Sequence, residues 1–148
     1  MTSKKRLRSK KKRTKFWYIQ DCGTYPVTIP VFVGYTNDEI TKIIKRQKNW
    51  KKELRELWEN HGGFKTELGG IVFDGGYTIL FLKGFEDVWE DYETLMHECF
   101  HIVMKMAQAR LLINHTTNTI EEEALAYQQE YLFRSIRRKL QDAFKIKR

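Results

Sequence analysis

His97, Glu98 and His101 stand in the order His-Glu-x-x-His, within His97-Glu98-Cys99-Phe100-His101. On a helix this spacing has a mechanical consequence. Residues four apart share one face and differ by roughly 6 Å along the axis, so both imidazoles can reach a single metal ion. The glutamate between them points about 100° away, close enough to meet a water on that ion. Zinc accepts imidazole nitrogen, and a catalytic zinc keeps three protein ligands and one position open to water. The pattern makes His97 and His101 a candidate metal-binding pair, and it asks for a third ligand elsewhere.

The flanking residues predict a helix that can present this motif. Leu95, Met96, Cys99, Phe100, Ile102, Val103, Met104, Met106 and Ala107 are apolar on nearly all sides of it. His97, Glu98, His101, Lys105 and Gln108 fall mostly along one stripe, the pattern of a buried helix with a polar seam facing a cleft. Asp87-Val88-Trp89-Glu90 fits a capping box at its start, and Asp91 is a second N-cap candidate. Cys99 lies on the apolar side and reads as packing rather than as a ligand.

The elements before it read as a small sheet with a backing helix. Phe16 to Ile19 and Val27 to Tyr35 are strand-like, and Pro30 favours an edge position or a bulge for the second. Asn37 or Asp38 would cap a long amphipathic helix over roughly 38–60, with Ile40, Ile43, Ile44, Trp50, Leu54, Leu57 and Trp58 on its apolar face. His61-Gly62-Gly63 supplies its stop signal. Ile71-Val72-Phe73 and Tyr77 to Leu82 flank Asp74-Gly75-Gly76 as a hairpin. The unbroken apolar run Ile79-Leu80-Phe81-Leu82 predicts a strand covered on both faces. The motif helix fades between Arg110 and Ile113, residues 114–118 form a loop, and a final helix covers roughly 120–143.

Composition bounds the class. The chain has 148 residues, 41% of them hydrophobic and 14% aromatic, which suits one domain with a real core. Two cysteines, Cys22 and Cys99, make no disulfide framework and fit a reducing compartment. No apolar run approaches membrane-spanning length, and none at the N-terminus is long enough for a signal-peptide core. A cytoplasmic or virion-associated protein is expected, with no membrane partner.

The net charge of +8 is unevenly spread. Residues 1–15 carry nine lysines or arginines and no acid, and residues 134–148 carry seven against Asp142 alone. Residues 16–133 carry 11 bases and 18 acids, so the basicity is terminal. The sequence divides accordingly into a basic arm, 1–15, and a domain, 16–148, with a basic C-terminal end. Such ends can neutralise phosphates, so a nucleic acid or an acidic protein is the expected partner of residues 1–15 and 134–148.

The final helix opens with Glu121-Glu122-Glu123-Ala124-Leu125-Ala126-Tyr127. Three acids complement the positive end of a helix dipole. Thr119-Ile120-Glu121-Glu122 also fits a capping box, which gives Glu122 a structural task and leaves Glu123 to turn inward. Over roughly residues 70–133 the chain resembles the gluzincin branch of the zincin metallopeptidases, in which His-Glu-x-x-His is joined by a glutamate from a following helix. It is also similar to small metallopeptidases encoded by bacteriophages. The resemblance implies His97, His101 and Glu123 as zinc ligands and Glu98 as catalytic base. It implies a minimal zincin-like α+β domain: a small, mostly antiparallel sheet with a backing helix, the motif helix, and a following helix that carries the third ligand. Glu122 stands where the family often has asparagine, and no aspartate matches the residue that often orients the first histidine. Tyr127, Tyr131 and His115 are the candidates for a group that steadies an oxyanion. The function implied is zinc-dependent hydrolysis of peptide bonds in a protein or peptide substrate. The alternative is a non-catalytic phage structural or assembly protein on the same scaffold, gripping nucleic acid or an acidic partner with its basic ends.

Overall fold

The computed structural model describes residues 14–23, 28–50, 52–61, 70–74, 78–109 and 119–146. They form an α+β arrangement in the order β1 (Phe16–Asp21), β2 (Thr28–Val33), α1 (Asn37–Arg46), α2 (Lys52–His61), β3 (Gly70–Asp74), β4 (Thr78–Leu82), α3 (Trp89–Ala109) and α4 (Thr119–Phe144). The four strands make one sheet in the order β1-β2-β4-β3. β1 with β2 and β3 with β4 are antiparallel, while β2 and β4 run parallel. The sheet is therefore mostly antiparallel, with β1 and β3 at its edges. The hairpin has the expected register, from Asp74 opposite Thr78 to Gly70 opposite Leu82. Its turn, residues 75–77, lies outside the described residues.

Helices cover both faces of the sheet. Ile29, Val31, Val33, Leu80 and Leu82 pack with Leu95, Cys99, Ile102 and Val103 of α3 and with Leu132, Ile136 and Leu140 of α4. The alternate residues Phe32, Ile79 and Phe81 pack with Ile40 and Ile44 of α1 and Trp58 of α2. The apolar run of β4 is thus buried on both faces, as its lack of alternation predicts. Burying each of these aliphatic and aromatic side chains contributes roughly 1.5–3 kcal/mol before entropy is counted.

Three local expectations are corrected. Pro30 lies in an internal strand, not an edge strand. It pairs with Ile19 across the antiparallel ladder, but the parallel ladder to β4 begins only at Val31, so on that side Pro30 lies beyond the last bonded pair. The single helix over 38–60 is two helices, because Gln47 turns extended (φ −81°, ψ 97°) and Trp50 then donates its amide to the Gln47 carbonyl. The break lets Trp50 stand edge-on to Trp17 and Phe32, and lets Trp58 fold back to donate to Thr41 Oγ1 at 2.7 Å. The cap of α1 is Thr36, not Asn37 or Asp38. Its hydroxyl accepts from the Glu39 amide, and the Glu39 carboxylate accepts from the Thr36 amide. Among the described residues no helix is long and apolar enough to cross a membrane.

α3 and α4 lie antiparallel, and one polar network holds them at the end where α3 begins. Asp87 has φ +64°, a left-handed conformation that costs an L-residue about 1–2 kcal/mol. Its Oδ1 accepts from Tyr92 OH at 2.8 Å and from Arg137 Nε at 3.3 Å, and its Oδ2 accepts from Gln141 Nε2 at 2.8 Å. Arg137 also donates to Tyr92 OH and covers that ring at 4.4 Å. Hydrogen bonds to a charged group are worth about 1.5–3 kcal/mol each, enough to offset the backbone strain. Asp87 is therefore bound to α4 rather than capping α3. The carboxylate that serves the first turn is Asp91, which accepts from the amides of Glu86 and Val88.

Burial raises the Asp87 pKa, but the bonds from Gln141, Tyr92 and Arg137 outweigh it and hold the carboxyl below its ordinary value. A lowered folded pKa means stabilisation that is present above the unfolded pKa and lost as pH falls through the folded one. Asp87→Asn keeps a residue that tolerates positive φ but removes the charge. It is expected to lower stability by about 1–3 kcal/mol at pH 7, a Tm drop of roughly 2–10 °C for a chain of this size. The gap from the parent should narrow in thermal melts as pH falls below the ordinary aspartate value and through the lower folded one. A pH-independent gap would assign the loss to packing instead.

Candidate metal centre

α3 runs unbroken through the motif, so the four-residue spacing becomes a real pair. His97 Nε2 and His101 Nε2 are 3.0 Å apart, with ring centroids at 4.6 Å and planes at 82°. Both residues are exposed. Without a metal, one Nε2 donates to the other. Two nitrogens bound to one tetrahedral zinc at 2.0–2.1 Å would lie about 3.3 Å apart, so the rings already stand close to the separation that a shared ion requires. The donor chemistry and the geometry of this pair fit zinc.

Glu98 does not share the exposure of its neighbours. It is 6% exposed and belongs to the inward side of α3 with Leu95, Cys99 and Ile102. The polar seam expected on α3 is thus split, with His97, His101 and Lys105 outside and Glu98 at its buried margin. Cys99 is fully buried, as its place on the apolar side predicts. Burial first, then the neighbouring Glu98 and Cys22, raises its pKa, and burial likewise pushes the Cys22 thiol up to about 12. Both sulfurs therefore stay protonated at neutral pH and make poor ligands.

Sequence reasoning missed the apolar rim. Met96 is 43% exposed and Phe100 is 49% exposed, one turn apart beside the histidines. The Phe100 ring lies 6.2 Å from that of His101. A helix apolar nearly all round predicts burial at both positions.

The third ligand was expected at the start of α4. Gln129 Nε2 donates to the Met96 carbonyl at 3.1 Å, Phe133 packs edge-on to Tyr92, and Arg137 reaches Asp87. Continued in the other direction, this antiparallel register brings the α4 backbone at residues 123–124 level with His101. The side chains of Glu122 and Glu123 lie outside the described residues, as does His115. Among the described residues, no three His, Cys, Asp or Glu side chains group as a metal site. Tyr127, one turn after Glu123, is 69% exposed, and Tyr131 is 44% exposed with its ring over the Gly23 backbone. Compared with protein-family models, with curated proteins and with solved structures, the chain matches none.

Proposed function

We propose that the chain is a zinc-dependent peptidase acting on a protein or peptide substrate, with His97, His101 and Glu123 as metal ligands and Glu98 as general base. The observation that carries this reading is the convergence of the two histidine Nε2 atoms, 3.0 Å apart, on an exposed helix face. The choice of Glu123 rests on the motif resemblance. Zinc, when bound, lowers the pKa of a water to about 7 and polarises a scissile carbonyl. His97 and His101 serve as neutral imidazoles, and Glu123 adds the single negative charge to the ligand set. Glu98 takes the proton of the attacking water and passes it to the departing amine. Its position at the buried margin of the pair keeps bulk water from competing for that proton.

Substrate would be held by backbone and by apolar contact. β3 is an edge strand packed against α3, and an edge presents unpaired N–H and C=O groups to an extended peptide. Met96 and Phe100 offer an apolar rim to its side chains.

Two measurements test the ligand set and the base. The purified protein is expected to hold about one zinc per chain, and Glu123→Ala should lower occupancy far more than Glu122→Ala. Equal losses would mean that the third ligand is misassigned. Glu98→Gln should keep zinc and fold while peptide hydrolysis falls about 10²–10⁴-fold, with His97→Ala losing metal and activity together. Full metal-dependent activity in Glu98→Gln would contradict the mechanism, and loss of zinc there would make Glu98 a ligand.

A further inference from the structure

The fold brings Phe16, at the start of β1, beside Phe144, at the end of α4. β1 lies along the second half of α4 in the opposite direction. Gln128 Nε2 donates to the Cys22 carbonyl, Gln20 Nε2 donates to Ser135 Oγ, and the Phe16 ring stands edge-on to Phe144 at 6.4 Å. The arm with its nine cations is attached just before Phe16, and Lys145, Lys147 and Arg148 follow Phe144. Among the described residues, Lys15 precedes Phe16 and pairs with Glu39 of α1, and Lys145 follows Phe144.

An open groove of about 620 Å³ lies between β1 and α4. Tyr127, Tyr131, Arg134 and Arg138 line its α4 side and follow one helical stripe. Tyr127 is 69% exposed and Tyr131 is 44% exposed, unusual for two aromatics in succession on a surface helix. Lys139 stands over the ring of Tyr18 at the groove wall. The acids of the groove are partly engaged within the protein: Asp21 accepts from the Gly23 amide, and Glu130 pairs with Arg134. The groove is therefore aromatic, with Arg138 and Lys139 as the cations on its α4 side.

We propose that this β1–α4 face binds single-stranded nucleic acid, with bases stacked on Tyr127 and Tyr131 and phosphates held by Arg138 and Lys139. The tyrosines rise about 6 Å apart along α4, whereas bases in a duplex rise about 3.4 Å, so only a spread strand can lay a base on each ring. Stacking on rings beside a cationic track is the mode by which strands are held without sequence preference. An acidic protein would use the cations without needing two exposed rings. A peptide added to β1 would use neither. The inference does not depend on the metal site.

Fluorescence anisotropy of the full chain with a labelled oligothymidylate, and with a duplex of equal length, tests it. The single strand should bind more tightly than the duplex. Tyr127→Ala, at an exposed position with little effect on folding, should weaken single-strand binding about 5- to 100-fold and leave duplex binding unchanged. Arg138→Glu with Lys139→Glu should weaken it further and reduce the slope of log K against log salt by about 0.7 per lost contact. Deleting residues 1–13 should weaken both ligands. Unchanged binding in Tyr127→Ala, equal affinity for strand and duplex, or no binding at low salt would overturn the proposal. Displacement of the oligonucleotide by an equal charge of polyglutamate would also overturn it, in favour of an acidic protein.

Discussion

α3 and α4 lie antiparallel over one face of the sheet, and the candidate site depends on the register in which they are held. Gln129 on the Met96 carbonyl and the Asp87–Tyr92–Arg137 network fix that register at two levels. Between and beneath them, Leu95, Cys99, Ile102, Leu132 and Ile136 fill the space against β2 and β4. Apolar burial supplies most of the free energy, but it is non-directional and tolerates sliding. The polar contacts are what choose one alignment. A slip of a single turn would shift the start of α4 by about 5 Å relative to the histidines.

The same helix pair explains why the site is asymmetric. The side of α3 that packs inward carries Glu98 and Cys99, and the side that faces out carries Met96, His97, Phe100 and His101. The histidine pair thus lies on the wet side of α3 and the Glu98 carboxylate at its dry margin. The sulfur beside them is buried, which raises the pKa of the Cys99 thiol. The groove between β1 and α4 shares no lining residue with the histidine pair.

Much of the fold was legible where one period dominates. The hairpin, the doubly buried run of β4 and the length of α3 follow from alternation, from its absence, and from an apolar helix with a polar stripe. The break between α1 and α2 was not legible, because Ile43, Ile44, Trp50, Leu54, Leu57 and Trp58 continue a helical spacing through it. What ends α1 there is tertiary, the chance to seat Trp50 on Trp17 and Phe32. Pro30 misled for a related reason: its missing donor bars it only where a ladder exists on that side, and the β4 ladder stops one residue short. In the site, the four-residue spacing specified the histidine pair directly. The burial of Glu98 and the exposure of Phe100 depend on where the sheet and α4 meet α3, which no local pattern encodes. Asp87 likewise reads as a cap in sequence, and only the position of Arg137 and Gln141 turns it into a clamp.

Zinc K-edge X-ray absorption on the purified protein tests the central claim most directly, because it reads the ligand atoms independently of any substrate. A site built on His97 and His101 predicts a first shell of nitrogen and oxygen alone at about 2.0–2.1 Å, with the outer-shell scattering of imidazole rings, lost in His101→Ala. A sulfur shell at about 2.3 Å, or an imidazole signal that survives His101→Ala unchanged, would contradict it.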